Sequence, residues 1–328
     1  MLKRRLRTIK WAVTDFKSRL LRNRVPKHRG YDQHGLRDYQ VYPLGGNLSQ
    51  DFFTQPAERY PRLIDKTTPI TSIGSCFAVE IRHHLKDAKF NFISTGDNRA
   101  GSVDWGRVYT TKNLLQIFQY SFTEFLPEIR TGHSPKGYFD PYREGPFFAS
   151  EEAAGEGFLQ HREESRRALT DCRVLIVTPG QNEAWMDQEE GLAWAHKPPP
   201  ETFAAYGEKR FCVKQFSLAE NIEYLAAFLN LLWANNPDVQ VIFTVSPVPS
   251  DATFYDTNVA VRSFENKAIL LLAVKEAVKQ NADRAYYFPS FEMTILSHNV
   301  NLTLDNRHVR PKVVNGIMSS FDQRFVVG

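Results

Sequence analysis

The sequence predicts an α/β domain built on a doubly wound parallel sheet, and three observations lead there. Residues 70–73, 90–94, 174–177, 239–245 and 285–288 are five short apolar runs, β-branched or aromatic and ended by Gly, Pro or Ser, as buried parallel strands are. Residues 77–85, 218–233 and 263–279 carry helical spacing and alternate with those runs. The turns after the first, third and fifth runs hold Ser75, Asn182 and His308, and a sheet of this kind gathers ligands at the carboxyl ends of its strands.

The chain divides into two parts. In residues 1–30, Leu2, Leu6, Ile9, Val13, Phe16 and Leu20 recur at steps of four and three, which sets them on one stripe of a helix. Eleven Lys and Arg stand there against the single Asp15, so +10 of the net +4 lies in this segment and about −6 on the rest. A basic helix with an apolar stripe is suited to an anionic membrane surface, to an acidic partner or to its own domain. One domain is expected over residues 31–328. Its first part, residues 31–66, has no period and is punctuated by Pro43, Gly45, Gly46, Pro56 and Pro61, an extended lead-in. The intervals 95–172 and 179–238 exceed what one crossover helix needs. They should add helices and loops over the carboxyl edge, where Arg143, Trp185 and His196 are candidates to shape a substrate pocket.

Composition narrows the function classes. A chain of 328 residues with 42% hydrophobic and 24% charged residues has an ordinary globular balance. Confinement of the positive charge to one terminal segment argues against a nucleic-acid-binding body. Cys76, Cys172 and Cys212 are odd in number and widely spaced, which suggests neither a disulfide framework nor a zinc site and fits a reducing, cytoplasmic compartment. His83 and His84 are helix neighbours that point about 100° apart, the wrong geometry for a shared metal. No metal and no cofactor are expected, and no run has the length of a membrane span.

The chemistry-bearing residues form a constellation. Gly74-Ser75 closes an apolar run and opens a helix, a turn that exposes a serine hydroxyl and aims the backbone N–H groups of the helix start at a developing oxyanion. A serine is a weak nucleophile without a base; His308 could take its proton, and Asp305, three residues earlier, could fix the imidazole tautomer. The Ser75 N–H, the Gly106 N–H and the Asn182 amide are candidate oxyanion donors. Each has a plainer explanation: a Gly-Ser turn is more often structural, Asp-x-x-His more often a capping pair, and Asn182 could bond its own turn.

Together, Gly74-Ser75-Cys76-Phe77-Ala78, Gly106-Arg107-Val108-Tyr109-Thr110-Thr111, Gly180-Gln181-Asn182-Glu183-Ala184-Trp185, Thr244-Val245-Ser246-Pro247-Val248-Pro249, Tyr287-Phe288-Pro289-Ser290-Phe291-Glu292 and Asp305-Asn306-Arg307-His308 resemble the GSCFA family of the SGNH (GDSL-like) hydrolases over roughly residues 45–325. The resemblance implies a three-layer α/β/α fold with a five-stranded parallel sheet. It also implies a serine esterase or acyltransferase, with Ser75 as nucleophile, His308 as base, Asp305 as orienter, and Gly106 and Asn182 as oxyanion donors. The expected substrate is a short acyl ester, above all an O-acetyl group on a carbohydrate. The competing expectation is a non-catalytic carbohydrate- or envelope-associated module that docks through residues 1–30.

Overall fold

The computed structural model describes residues 60–94, 105–296 and 301–327, so the basic segment 1–30 and most of the lead-in lie outside the described residues. In chain order the elements are β1 (Ile70–Gly74), α1 (Cys76–Asp87), α2 (Thr111–Phe122), β2 (Gly132–Ser134), β3 (Gly137–Phe139), β4 (Phe147–Phe148), α3 (Glu151–Asp171), β5 (Val174–Thr178) and β6 (Glu183–Asp187). They continue with β7 (Leu192–Trp194), α4 (Pro200–Tyr206), β8 (Phe211–Gln215), α5 (Leu218–Asn235), β9 (Gln240–Phe243), α6 (Val259–Gln280), β10 (Ala285–Tyr287), α7 (Ser290–Leu296) and α8 (Pro311–Phe325).

The central sheet is parallel, in the order β1-β5-β9-β10. Its strands carry apolar residues on both faces, and alternation sorts these into two cores. Ile73, Leu175, Val177, Val241 and Phe243 face the helices α2, α3, α5 and α6, whereas Ile70, Val174, Ile176 and Ile242 face α1, α7 and α8. Helices thus cover both faces. The sheet has four strands where the sequence predicted five. Residues 90–94 meet the sheet only through an isolated parallel bridge from Phe92 to Ile70: after Lys89, at φ 60°, the segment accepts the Ile70 N–H at Asn91 and donates the Ile93 N–H to the Ile70 carbonyl without running on. Phe92 nonetheless lies outside β1, so the chain reverses its direction of progress across the sheet between β1 and β5. That is the kind of place where such sheets open a crevice.

Local chemistry starts and stops the helices. Ser217 and Glu220 form a reciprocal capping box on α5, Ser150 caps α3, the Thr110 hydroxyl accepts from the Asn113 N–H on α2, and Pro311 opens α8. The long intervals hold more than helices and loops. They also form two small antiparallel sheets, β2-β3-β4 and β7-β6-β8, and the second places Trp185 opposite Trp194. Among the described residues no helix is long and apolar enough to cross a membrane.

Candidate active site

Strand register sets the site. Gly74 pairs with Thr178, and the ladder runs one step further: the Ser75 N–H donates to the Thr178 carbonyl at 2.9 Å and the Ser246 N–H to Pro179 at 2.9 Å. The turns after β1, β5 and β9 therefore emerge side by side. Gly74 makes the first of them possible, with φ at 154° and its α-carbon packed so closely on Thr178 that a side chain would collide with that residue's carbonyl. Ser75 then stands as N-cap of α1, yet its side chain caps nothing. Its hydroxyl is buried and has no hydrogen-bond partner among the described residues, an unusual state for a buried polar atom.

The hydroxyl lies at the floor of a cleft of about 430 Å³. Cys76, Arg107, Tyr109, Gly180, Gln181, Trp185, Trp194, His196, Lys197, Ser246, Phe254, Arg307 and His308 are among the residues that line it. His308 stands at the rim, with its side chain 56% exposed. Ser75 and His308 thus share one cleft without a hydrogen bond between them. Asp305 holds His308 through an Asp305 Oδ2 to Nδ1 contact and accepts the backbone N–H groups of Arg307 and His308 at 2.9 and 3.1 Å. The Thr303 hydroxyl first, then His308 and those two N–H groups, hold the Asp305 carboxyl well below its usual range. The turn is tied to the cleft wall by an Arg307–Asp251 ion pair at 2.9 Å. With Nδ1 occupied, the other ring nitrogen is the one available for proton transfer.

Three of the expected oxyanion donors are engaged or displaced. The Ser75 N–H is spent on Thr178. Gly106 does not line the cleft; its α-carbon packs on Glu144. Asn182 is fully buried, its amide donating to the Phe216 carbonyl at 2.6 Å and accepting from Asn221 at 2.8 Å, which in turn accepts from the Thr111 hydroxyl. One residue earlier, Gln181 does line the cleft, and its side-chain amide has no hydrogen bond among the described residues. Of the expected pocket residues, Trp185 and His196 line the cleft and Arg143 does not. Arg143 is 6% exposed and pairs with Asp140 at 3.3 Å beside a separate cavity of about 20 Å³.

Burial pushes the Tyr109 hydroxyl up to about 12 and raises the Cys76 thiol, so Cys76 is a poor rival nucleophile. Arg107 is held by Glu144, which also accepts the Arg107 backbone N–H at 3.0 Å. The sequence motifs that contain Gly180, Gln181, Arg107 and Arg307 assign these residues no role. The signal for Gly180 is its place in a post-strand turn beside Ser75: an added Cβ there would stand 2.6 Å from Ser75 Cβ and 3.0 Å from Oγ.

The GSCFA family model matches residues 69–321, from the strand before Ser75 to the helix after His308. The chain belongs to the GSCFA family. Solved structures with which this GSCFA chain shares a distant likeness include a carbohydrate esterase family 3 protein from Talaromyces cellulolyticus, at 12% identity and TM-score 0.38, covering 78% of this chain and 94% of that one. A GDSL-like lipase from Bacteroides thetaiotaomicron matches at 12% identity and TM-score 0.39 over 84% and 95% of the two chains. An acetyl xylan esterase from the rumen bacterium Butyrivibrio proteoclasticus matches at 12% and 0.35 over 78% and 63%. Likeness at this level says nothing of substrate. No curated protein matches the sequence.

Proposed function

We propose that the protein is a serine-dependent ester hydrolase or acyltransferase of SGNH type, acting on short O-acyl esters of carbohydrates. The observation that carries this reading is the buried, unpartnered Ser75 hydroxyl at the floor of a cleft whose rim holds an Asp305-oriented imidazole. Ser75 Oγ attacks the ester carbonyl as His308 takes its proton. The tetrahedral intermediate collapses, the C–O bond to the sugar breaks, and His308 returns the proton to the leaving hydroxyl. Water then releases the acyl group in a hydrolase; a second sugar hydroxyl does so in a transferase. The Ser75–His308 bond forms when substrate brings the rim turn inward, since catalytic hydrogen bonds often tighten only in the complex.

For the oxyanion we assign the Cys76 N–H at the first position of α1, together with the Gln181 side-chain amide. Carbohydrate is supported by the cleft walls, where Trp185 and Phe254 bring aromatic side chains among polar groups in a space of ligand size. Ser75→Ala should abolish turnover of an activated acetate ester and labelling by a fluorophosphonate while the melting temperature holds. Undiminished turnover in that variant overturns the mechanism. A second reading, a binding module that keeps the pocket without chemistry, is favoured by the lack of a Ser75–His308 hydrogen bond; fluorophosphonate labelling of Ser75 decides against it.

A further inference from the structure

Lys267 sits on the buried stripe of α6 with Leu270, Val274 and Ala277, and is only 2% exposed. An ammonium is costly to bury unless something holds it. Its Nζ donates to the Gly180 carbonyl, and among the described residues it has no carboxylate partner. Glu183, the carboxylate just beyond that turn, is engaged by Thr253, Asn266 and Arg262 instead. The Gly180–Gln181 peptide group is therefore tied at both ends: its oxygen accepts from Lys267, and its N–H donates to the Tyr109 carbonyl at 3.1 Å. On its open side Gly180 is pressed against Ser75, where even a methyl group would stand 3.0 Å from Oγ.

We propose that Lys267 is a positioning residue for the Ser75 reaction, its buried ammonium clamping the Gly180 carbonyl so that the Gly180–Gln181 peptide stays fixed beneath the nucleophile. This rests on the acyl-serine reading above. The clamp acts through Gly180, setting the space in which Ser75 Oγ can turn and the direction in which Gln181 faces the cleft. A charge-assisted bond is about twice as strong as its neutral counterpart, so loss of the Lys267 proton loosens the clamp without removing the donor.

Burial brings Lys267 down from 10.5 to about 7, so that loss falls near neutrality. The groups that face it are the Cys76 thiol of α1, itself raised by burial, and the Gly180 carbonyl after β5; Arg107 and Arg307 act in turn on Cys76. Between about 7 and 10.5 the unfolded chain binds the proton that the folded chain has lost, so the contribution of this group to folding stability rises with pH across that window. Activity, by the clamp argument, declines across its start. Stability and activity move in opposite directions, which a purely structural lysine does not produce.

The test compares wild type with Lys267→Met by acetate-ester kinetics, fluorophosphonate labelling and melting temperature on both sides of neutral pH. Lys267→Met should keep or raise the melting temperature below neutrality and lower kcat by about 10²-fold with KM unchanged, the effect of a misplacement near 1 Å. It should also lack the alkaline decline that the wild type shows. If Met is not accepted at this position, Lys267→Gln, an uncharged donor, should give a kcat that is low and flat across the same range. Labelling of the wild type with an unaltered rate and pH profile in the variants overturns this proposal alone, as does a parallel fall of kcat and melting temperature. A wild type that is not labelled overturns the acyl-serine reading and this inference with it.

Discussion

Replacing Gly180 by alanine adds a single methyl group at the most crowded point of the cleft floor. The new Cβ would stand 2.6 Å from Ser75 Cβ and 3.3 Å from Ser246 Cβ, where ordinary contact begins at 3.4 Å, so about 0.8 Å must be found between the glycine and the serine. Neither side yields freely. Ser75 is tied by its N–H to Thr178 at 2.9 Å; Gly180 is tied by its N–H to Tyr109 at 2.8 Å and by its carbonyl to Lys267. The backbone at Gly180 is not in the left-handed region, so the whole effect is steric. Overpacking of this kind costs about 1–3 kcal/mol, which a chain of this size survives. A nucleophile moved by ~1 Å loses about 10²-fold in rate. The expected outcome is a folded variant with a modestly lowered melting temperature and kcat down by about two orders of magnitude. The assay is acetate-ester turnover together with the rate of fluorophosphonate labelling, which reports on the nucleophile without sugar recognition. A variant that labels within a few-fold of wild type would refute the placement of Ser75 against Gly180.

Other substitutions separate the sequence expectations from the structure. Asn182→Ala removes a buried amide that links the β5 turn to α5, so it should cost about 1–3 kcal/mol of stability and leave kcat of the remaining folded protein within a few-fold. A collapse of kcat at constant melting temperature would restore Asn182 as an oxyanion donor. Arg143→Ala strands the Asp140 carboxylate, whose pKa burial already raises, and breaking a buried pair costs roughly 3–5 kcal/mol. Melting temperature should fall while KM for the ester does not change; a raised KM would bring Arg143 back to the pocket. Asp305→Asn keeps an acceptor for the turn's N–H groups but removes the anion behind His308, so kcat should drop by about 10² or more, and the melting temperature should fall modestly at neutral pH. Because the Asp305 pKa is depressed on folding, its stabilising contribution is present above 3.8 and is lost as pH falls through the lower folded value, so acid melting curves of wild type and variant should converge.

The parts of the fold that were legible in the sequence are those in which type and pattern alone decide. Residues 174–177 are a continuous apolar run and 239–245 a largely apolar, β-branched one, each between turn residues, the pattern of a buried parallel strand. Glu183–Asp187 forms a strand that the sequence does not announce, because Trp185 and Asp187 fit a loop equally well by composition; the alternating exposure that marks a strand shows only in the fold. Residues 90–94 have strand composition but lack length and a second partner, and one bridge is what remains. Direction was harder than type. Gln181 and Asn182 are adjacent amides in one turn, and which of them faces the cleft depends on the Tyr109 and Lys267 bonds that fix the peptide before them, contacts 72 and 86 residues distant from Gln181 that no local pattern encodes.

Lys267 shows the same limit from the other side. Its spacing with Leu270, Val274 and Ala277 places a charge on the apolar stripe of a helix, which the sequence alone displays as an inconsistency. Only the fold supplies the resolution, the Gly180 carbonyl beside Ser75, which takes Lys267 as its donor. Three turns that leave one sheet edge converge by the register of their strands, so Ser75, Gly180 and Ser246 would meet in any sequence that kept that register. His308 reaches the cleft by a route the sheet does not dictate, a capped turn before α8 pinned to the loop after β9 by Arg307 and Asp251. The proposed nucleophile is thus placed by the rigid part of the fold and the proposed base by an exposed turn, and the step that would join them is the one most open to control by what occupies the cleft.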